Sequence, residues 1–439
     1  MMKLNKLSAM LSALLGGFVL LIGCSSEGNL NTAEPYDPNK PLELQTFYPD
    51  SGKFLEQVIL KGSNFGSNPK EIRVYFNKRK AAVIGSTGTE LYVLAPRLPG
   101  DTCTISVAVG KDSVTYPGKF RYKKSVTVST IAGNGNVNEV VTGPLSSSQL
   151  EPVFLCVDKD NNIFVVCRRN GLQGNPCIMR IDEERDELVM LQKGAIGNVP
   201  CADPFTGIIT IPTETTLGSF YSLNPQEFWA PRVRDMKWPE DVAKPAEGYK
   251  HCMVVNPADG YIYTRYYYGD IIKINPRTYE VTPIYKTGTG NSYGLTFNPL
   301  HPNILYISYR DDAGDMASSI CSIDVTNPAT TYKRLSSSNI SGGHRDGPLR
   351  EAQFRNPSQI FCDNDGNIYV ADRGNHCIRR ITPENMVETV LGMPGTKGWK
   401  DGKKEDALFN EPTGIGIAQD GSVYVADFKN GRVRKLTIN

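Results

Sequence analysis

The sequence has few of the side chains that build metal centres. It contains four histidines in 439 residues, and none of its ten cysteines belongs to a Cys-x-x-Cys pair. A catalytic transition-metal site needs several such ligands converging from neighbouring segments. The sequence therefore predicts no metal site and no cofactor, and it argues against a metal-dependent lyase.

The chain also lacks a surplus of either charge. Its formal charge of +2 falls to zero when the N-terminal leader is removed, because Lys3 and Lys6 leave with it. Nucleic-acid binding depends on clustered positive charge, so no nucleic-acid partner is expected. Without Cys24, nine cysteines remain, an odd number that leaves at least one thiol free. We interpret these cysteines mainly as small buried apolar residues.

The longest apolar run, residues 7–22, is too short for a comfortable membrane span and contains two adjacent glycines. It follows Lys3 and Lys6 and ends in Leu-Ile-Gly-Cys at 21–24, which matches the lipobox of bacterial lipoproteins. Residues 1–23 are therefore predicted to be a lipoprotein signal peptide and Cys24 to be acylated. The expected location is the outer membrane, on the cell surface, with the periplasmic leaflet left open as an alternative.

Two segments follow the leader. Residues 24–40 are polar and rich in Asn, Glu and Pro, which predicts an extended tether. Residues 41–123 have short alternating stretches between Gly, Asn and Pro turns, which predicts a small β-sandwich.

The second of these segments resembles the IPT/TIG family of immunoglobulin-like domains. The resemblance rests on Tyr-Pro at 48–49 with Ser-Gly at 51–52, VILKGSNFG at 58–66, VYFN at 74–77, LYVLAP at 91–96 and GKFRY at 118–122. Such domains are mostly spacers or binding modules, so the resemblance implies no chemistry.

The remainder, residues 126–439, repeats itself. A segment beginning GHRDGPLREAQFRNPSQIF at Gly343 recurs at Gly398. The two copies agree, at an offset of 55, at Asp346/Asp401, Phe354/Phe409, Pro357/Pro412, Asp365/Asp420, Tyr369/Tyr424 and Asp372/Asp427. Weaker copies containing NNIFVV, GIITI, GYIYTR and NILYIS raise the number of units to six. A period of this size with alternating polarity predicts four-stranded blades in a ring.

The two strong copies resemble the NHL repeat family, which implies a six-bladed β-propeller. The predicted fold class is thus all-β, a small immunoglobulin-like sandwich followed by this propeller. One further segment supports closure of the ring: residues 128–132 have the pattern of an outermost strand but precede the first full unit. We expect this strand to complete the last blade and to remove the exposed seam.

Residues 365–380, DGNIYVADRGNHCIRR, look at first like an active site. In the repeat frame DGNIYVAD, at 365–372, is a turn followed by the second strand of the fifth blade, and Cys377 begins the third strand. Because Asp372 recurs as Asp427, a structural role is favoured over catalysis. Turn capping is favoured for His376 and packing for Cys377. Arg373 is the exception in this stretch, since it is left as a candidate for ligand binding.

A ligand site is predicted on one rim of the propeller. Aligned on Tyr369, the position four residues later is Arg or aromatic in five units: Arg168, Tyr267, Arg310, Arg373 and Phe428. Loops between blades, assigned to the same face, carry Trp229, Trp238, His344 with Arg345, and Trp399. Aromatic rings stack on sugar faces and Arg binds carboxylate or sulfate. The alternative is structural, with Arg paired to a neighbouring Asp and Trp covering a blade edge.

These features favour a non-catalytic, membrane-anchored binding protein that captures an extracellular polysaccharide. The combination looks like the surface lipoproteins of glycan-uptake systems. Two alternatives stay open at this point: a scaffold that docks other outer-membrane uptake components, and a propeller hydrolase or lyase.

Overall fold

The computed structural model describes residues 34–97, 102–123, 126–167, 176–215, 218–245 and 249–438. The chain divides between residues 124 and 125 into two compact units. Strands dominate both units, and the predicted all-β fold class is confirmed. The first unit has one sheet in the order β1-β3-β6-β5-β4-β8-β9 and a second in the order β2-β10-β7. Its strands are β1 Glu43–Tyr48, β2 Ser51–Gly52, β3 Gln57–Ser63, β4 Ile72–Phe76, β5 Arg79–Ser86, β6 Glu90–Leu94, β7 Thr102–Cys103, β8 Ile105–Val109, β9 Asp112–Thr115 and β10 Phe120–Tyr122.

Alternation along the strands builds the core of this unit. In β4, Val74 and Phe76 are fully buried whereas Arg73 is exposed. Such a period of two places one row of side chains between the sheets and the other in water.

The end of the predicted tether is fixed to the first unit. The backbone N–H of Asp37 donates to Asn64 Oδ1 at 2.9 Å, and Asn64 Nδ2 donates to the Asp37 carbonyl at 2.8 Å. The Tyr36 hydroxyl donates to Asp112. Local polar contacts thus hold residues 36–40, the C-terminal end of the segment predicted to be an extended tether, against the first unit.

The described residues of the second unit form six sheets, each four or five strands wide. The innermost strands of neighbouring sheets contact one another around the ring. The sheets are blade 1 (β12 Gly143–Pro144, β13 Pro152–Val157, β14 Ile163–Cys167, β15 Cys177–Asp182, β16 Glu187–Lys193), blade 2 (β17 Cys201–Ala202, β18 Ile209–Pro212, β19 Phe220–Leu223, β20 Pro231–Arg234), blade 3 (β21 Lys250–Val255, β22 Ile262–Tyr266, β23 Asp270–Ile274, β24 Val281–Lys286), blade 4 (β25 Gly294–Asn298, β26 His301–Tyr309, β27 Ser319–Asp324, β28 Lys333–Arg334), blade 5 (β29 Gly347–Pro348, β30 Ile360–Cys362, β31 Ile368–Asp372, β32 Cys377–Ile381, β33 Met386–Leu391) and blade 6 (β34 Gly402–Lys403, β35 Pro412–Ile417, β36 Val423–Asp427, β37 Arg432–Ile438, with β11 Val126–Ala132).

Helices are short in the part of the chain that the structure describes. They are Pro328–Thr331 and the 3-10 turns Leu145–Ser147, Pro225–Glu227, Gly314–Met316, Arg373–Asn375 and Phe428–Asn430.

The ring closes as the sequence predicts. Strand β11 pairs antiparallel with β37, and Val128 lies opposite Leu436. The strand therefore supplies the fourth long strand of blade 6, outside β37, and the two ends of the propeller segment share one sheet.

Blades 5 and 6 contain the same buried polar network. Arg379, which is completely buried, donates to Asp372 Oδ2 at 2.8 Å and to Asp346 Oδ1 at 2.5 Å. Arg434 makes the same two bonds with Asp427 and Asp401. The equivalence confirms the structural reading of Asp372.

His376 and Cys377 also have the structural roles expected of them. His376 has a left-handed backbone, with φ of 57°. Its Nδ1 accepts a bond of 3.1 Å from the Glu411 N–H. Cys377 is fully buried.

The centre of the ring is filled by side chains. Phe154 of β13 and Tyr293, which precedes β25, stack with ring centroids 5.3 Å apart. They come from blades 1 and 4, which face each other across a six-membered ring. Gln359 connects further blades, donating from Nε2 to the Leu155 carbonyl at 2.7 Å and accepting at Oε1 from Ile415 N–H at 3.3 Å.

Candidate ligand-binding site at the channel mouth

One end of the propeller collects the loops between second and third strands and the segments that enter the first strands. We call this end the channel mouth, and define it by Tyr249, His251, Tyr267, Tyr268, Tyr293, Arg310, Arg373 and Glu411. Tyr267, Arg310, Arg373 and Phe428 each directly follow the second strand of their blade, at Tyr266, Tyr309, Asp372 and Asp427. The equivalence predicted for these four positions is therefore confirmed.

A continuous aromatic cluster lies on the blade 3 side of the mouth. The Tyr267 ring is 5.9 Å from that of Tyr249, 5.3 Å from Tyr268 and 6.0 Å from His251. His251 stacks on Tyr293 at 4.6 Å. Tyr249 and Tyr268 are exposed, at 44% and 41%, so the outer end of the cluster presents aromatic surface to solvent.

Arg310 covers the inner end of this cluster. Its guanidinium lies 3.9 Å from the centroid of the Tyr293 ring, and its Nη2 donates to Ser358 Oγ at 3.1 Å. Within the described residues Arg310 forms no ion pair with Asp311 or any other carboxylate, and its buried Nε has no hydrogen-bond partner. Burial lowers the pKa of Arg310 to about 10, with the charge of Arg373 acting in the same direction.

Arg373, unlike Arg310, forms an ion pair. Its Nε and Nη2 both donate to Glu411 Oε2, at 3.0 and 2.6 Å. The two side chains belong to neighbouring blades, and each is about a quarter to a third exposed. The structural alternative, an Arg paired with an acid, thus describes Arg373, although its partner is Glu411 and not Asp372.

The placement of Trp229 on this face is wrong. Trp229 lies between β19 and β20, the third and fourth strands of blade 2, and such a loop emerges at the opposite end of an antiparallel blade. Its ring packs 5.8 Å from Phe164 and 4.8 Å from the Arg180 guanidinium. It therefore fills the space between blades 1 and 2.

The other loop residues lie away from the mouth as well. Trp238 is half-buried against the core between blades 2 and 3, 6.4 Å from Tyr266. His344 Nε2 lies 2.8 Å from Thr389 Oγ1, and Trp399 Nε1 donates to Thr130 Oγ1 at 3.1 Å.

His344 and Trp399 are equivalent residues on the outer edges of blades 5 and 6. Their assignment to the rim is wrong. The segment that connects two blades first runs along the outer edge of the following blade, away from the channel mouth. There β29 pairs with β33 and β34 pairs with β11. This extra pairing satisfies an otherwise open strand edge.

Two predicted sites fall outside the described residues: the ligand candidate Arg168 and the lipidation site Cys24. In the described ranges, no three His, Cys, Asp or Glu side chains are grouped to hold a metal ion. The helices of those same ranges are all too short or too polar to cross a bilayer.

Sequence reasoning missed most of the aromatic cluster. Tyr249, His251 and Tyr293 precede or begin first strands, whereas the alignment considered only the ends of second strands. The run Tyr266-Tyr267-Tyr268 was a visible signal for the remainder.

It also missed Gly-Asn-Ser-Tyr-Gly at 290–294, which has the Gly-x-Ser-x-Gly spacing of a hydrolase nucleophile elbow. Ser292 is fully buried, accepts a 2.8 Å bond from Arg265 and leads into a strand, where an elbow leads into a helix.

Comparison with known families agrees with both halves of the fold. Residues 42–122 match the IPT/TIG domain model, and residues 354–381 and 409–436 match the NHL repeat model. The chain carries an IPT/TIG domain and NHL repeats. The NHL matches fall on blades 5 and 6, whereas blades 1 to 4 are propeller blades by structure.

Solved structures show the same architecture. A structural genomics protein of unknown function from Bacteroides thetaiotaomicron VPI-5482 aligns with a TM-score of 0.74 at 25% identity, over 92% of this chain and 100% of that chain. An auxiliary nutrient binding protein from Bacteroides ovatus ATCC 8483 aligns with a TM-score of 0.61 at 22% identity, over 92% of this chain and 100% of that one.

A curated relative covers less. Protein SUPPRESSOR OF QUENCHING 1, chloroplastic, from Arabidopsis thaliana is 36% identical over 97 residues, which are 22% of this chain and 9% of that protein. The chain thus matches only a small part of this relative.

Proposed function

We propose that this protein is a non-catalytic binding protein that captures an extracellular saccharide at the channel mouth of its NHL propeller. The observation that carries the proposal is the cluster of Tyr249, Tyr267 and Tyr268, of which the first and last are exposed and which continues inward to Arg310. Flat aromatic surface suits the apolar faces of sugar rings, and a neighbouring cation suits their oxygens. The nutrient-binding role of a structural neighbour from Bacteroides ovatus, over nearly the whole chain, supports the same reading.

The expected affinity is modest. Each stacking contact contributes on the order of 1 kcal/mol, and the groups at the mouth are only partly desolvated. Micromolar or weaker dissociation constants follow, and a polymer that repeats its binding unit gains from rebinding.

The tyrosine cluster gives the first test. Replacing Tyr267 with alanine is expected to weaken saccharide binding about five- to tenfold, because the ring joins the exposed tyrosines to His251. Affinity electrophoresis of the purified protein against a panel of polysaccharides measures the effect. Trp399→Ala is the matched control, since Trp399 is an exposed aromatic residue, 52% accessible, on the outer edge of blade 6. Equal losses for the two variants, or a loss for Trp399→Ala alone, would contradict the site.

We further propose that the mature protein is anchored to the outer membrane through acylated Cys24, with its binding face outside the cell. Changing Cys24 to alanine is expected to move the protein from the detergent phase to the aqueous phase in a phase-partition assay, because acyl chains supply about 0.8 kcal/mol per buried methylene. Cys103→Ala, which removes a buried cysteine of the IPT/TIG domain, controls for loss of a thiol. Unchanged partitioning of Cys24→Ala would refute the anchor.

A further inference from the structure

We propose that the channel mouth selects saccharides that carry an oxyanion, either a carboxylate or a sulfate ester, and that Arg310 binds this group. The inference rests on the proposed function and adds a chemical class of ligand to it. It starts from a contrast between two arginines of the same rim, since Arg373 has a carboxylate partner and Arg310 has none among the described residues.

The free hydrogen-bonding capacity of Arg310 faces solvent. Of its three guanidinium nitrogens, Nη2 is bonded to Ser358 and Nε is buried. Nη1 has no partner among the described residues and is not among the buried atoms, so water reaches it. An incoming oxyanion can therefore contact Nη1 without displacing a protein group.

The surroundings fix this cation in place. The Tyr293 ring lies 3.9 Å from the guanidinium and itself stacks with the rings of Phe154 and His251. A preset guanidinium plane loses little freedom when it forms a paired hydrogen bond to carboxylate or sulfate.

The carboxylates near the mouth are held by other partners. Asp312 accepts from the Asn291 side chain and backbone, and Glu411 accepts from Arg373. Asp311 accepts from Asn356 Nδ2 at 3.4 Å. None of these three forms an ion pair with Arg310, although Asp311 and Asp312 follow it directly in the chain.

The partial burial of the Arg310 guanidinium favours an oxyanion over a neutral hydroxyl group as its ligand. A cation that has lost part of its hydration is compensated best by an opposite charge with hydrogen bonds, and much less by a neutral acceptor. The lowered pKa of Arg310 reflects the same loss of hydration. The tyrosines then hold the sugar ring that carries the oxyanion.

Two matched pairs of polymers test the proposal: polygalacturonate with its methyl-esterified form, and dextran sulfate with dextran. The purified wild-type protein is expected to bind the acidic member of at least one pair about tenfold or more tightly than the neutral member. Raising the salt concentration from 50 to 500 mM should reduce this preference. The first pair reports on carboxylates and the second on sulfate esters.

Arg310→Gln is expected to abolish the preference, because loss of the charge weakens binding of the acidic member far more than binding of the neutral member. Arg310→Lys keeps the charge and should keep part of the preference. Comparing the two variants separates the loss of the charge from a folding defect caused by replacing Arg310. Arg185→Gln serves as the charge control, because Arg185 is exposed in a turn at the opposite end of blade 1.

Three outcomes separate the two proposals. Tyr267-dependent binding with no preference for acidic polymers would overturn the oxyanion inference and leave the proposed function standing. A preference that survives Arg310→Gln, or disappears equally in Arg185→Gln, would also overturn it. Failure of all four polymers to bind would overturn the proposed function for these saccharides and the inference with it.

Discussion

Replacing Arg379 with alanine is expected to lower the free energy of unfolding of the propeller by about 3–5 kcal/mol. Arg379 is completely buried and bonds Asp372, Asp346 and the carbonyl oxygens of Arg345 and Gln353. Its removal leaves the buried Asp372 carboxylate without its cation and takes one of two donors from each of the Arg345 and Gln353 carbonyls, which keep their backbone partners. Urea unfolding followed by circular dichroism measures the change.

Arg380→Ala is the matched control for this variant. Arg380 is the next residue, but its ion pair with Glu388 is exposed to solvent, with side chains 35% and 48% accessible. Exposed pairs contribute about 0–1 kcal/mol, so the control should unfold close to wild type. Equal stability of the two variants would show that the buried network contributes little.

The loss in Arg379→Ala should also depend on pH. Burial raises the pKa of Asp372 to about 6, even with Arg379 beside it. Since this lies above the ordinary unfolded value of about 3.9, the folded state binds the proton more tightly. The contribution of Asp372 to the free energy of unfolding therefore falls as pH rises from about 4 to 6. Without Arg379 the folded pKa rises further, so the deficit of the variant should grow between pH 5 and pH 8.

Deleting residues 433–439 is expected to lower the melting temperature of the propeller by more than about 10 °C or to prevent its folding. The deletion removes most of β37, which pairs with both β11 and β36, and takes Arg434 out of its buried network. The free energy of unfolding falls by several kcal/mol when these contacts are lost. In a domain of this size, each kcal/mol lowers the melting temperature by about 2–4 °C.

The control for the deletion is removal of residues 438–439 alone. This shorter change costs one pair of the β11 ladder, Val126 with Ile438, and leaves Arg434 in place. Differential scanning calorimetry compares the two. A long deletion that melts with wild-type behaviour would show that the seam contributes little to the stability of the ring.

Much of the fold could be predicted from the repeat pattern. Asp372 and Asp427 recur at one offset, and each finds its Arg seven residues later in the next strand. Closure was predictable for the same reason, since residues 128–132 have the pattern of an outer strand that lacks a blade. Features confined to one blade are encoded by local periodicity, and local periodicity is visible in a single sequence.

The site was only partly predictable. The positions of Tyr267, Arg310 and Arg373 followed from the alignment of second strands. The position of Trp229 did not follow, because it lies in the loop between the third and fourth strands of blade 2, and the weak repeat there does not mark which loop it belongs to. Trp399 and His344 were misplaced because the segments that connect the blades pair with an outer strand of the next blade. This pairing carries both residues to the outside of the ring.

The sequence by itself determined the two all-β units, the six blades, the closure of the ring and the structural role of Asp372, whose arginine partner only the structure shows. All of these depend on residues close together in the chain or on a repeated pattern. Only the tertiary structure decided that Phe154 and Tyr293 meet across the centre, that Arg373 pairs with Glu411 and that Arg310 keeps a nitrogen open to water. These contacts join different blades. Their partners are set by how the ring closes, and no spacing within one repeat specifies which side chain the next blade presents.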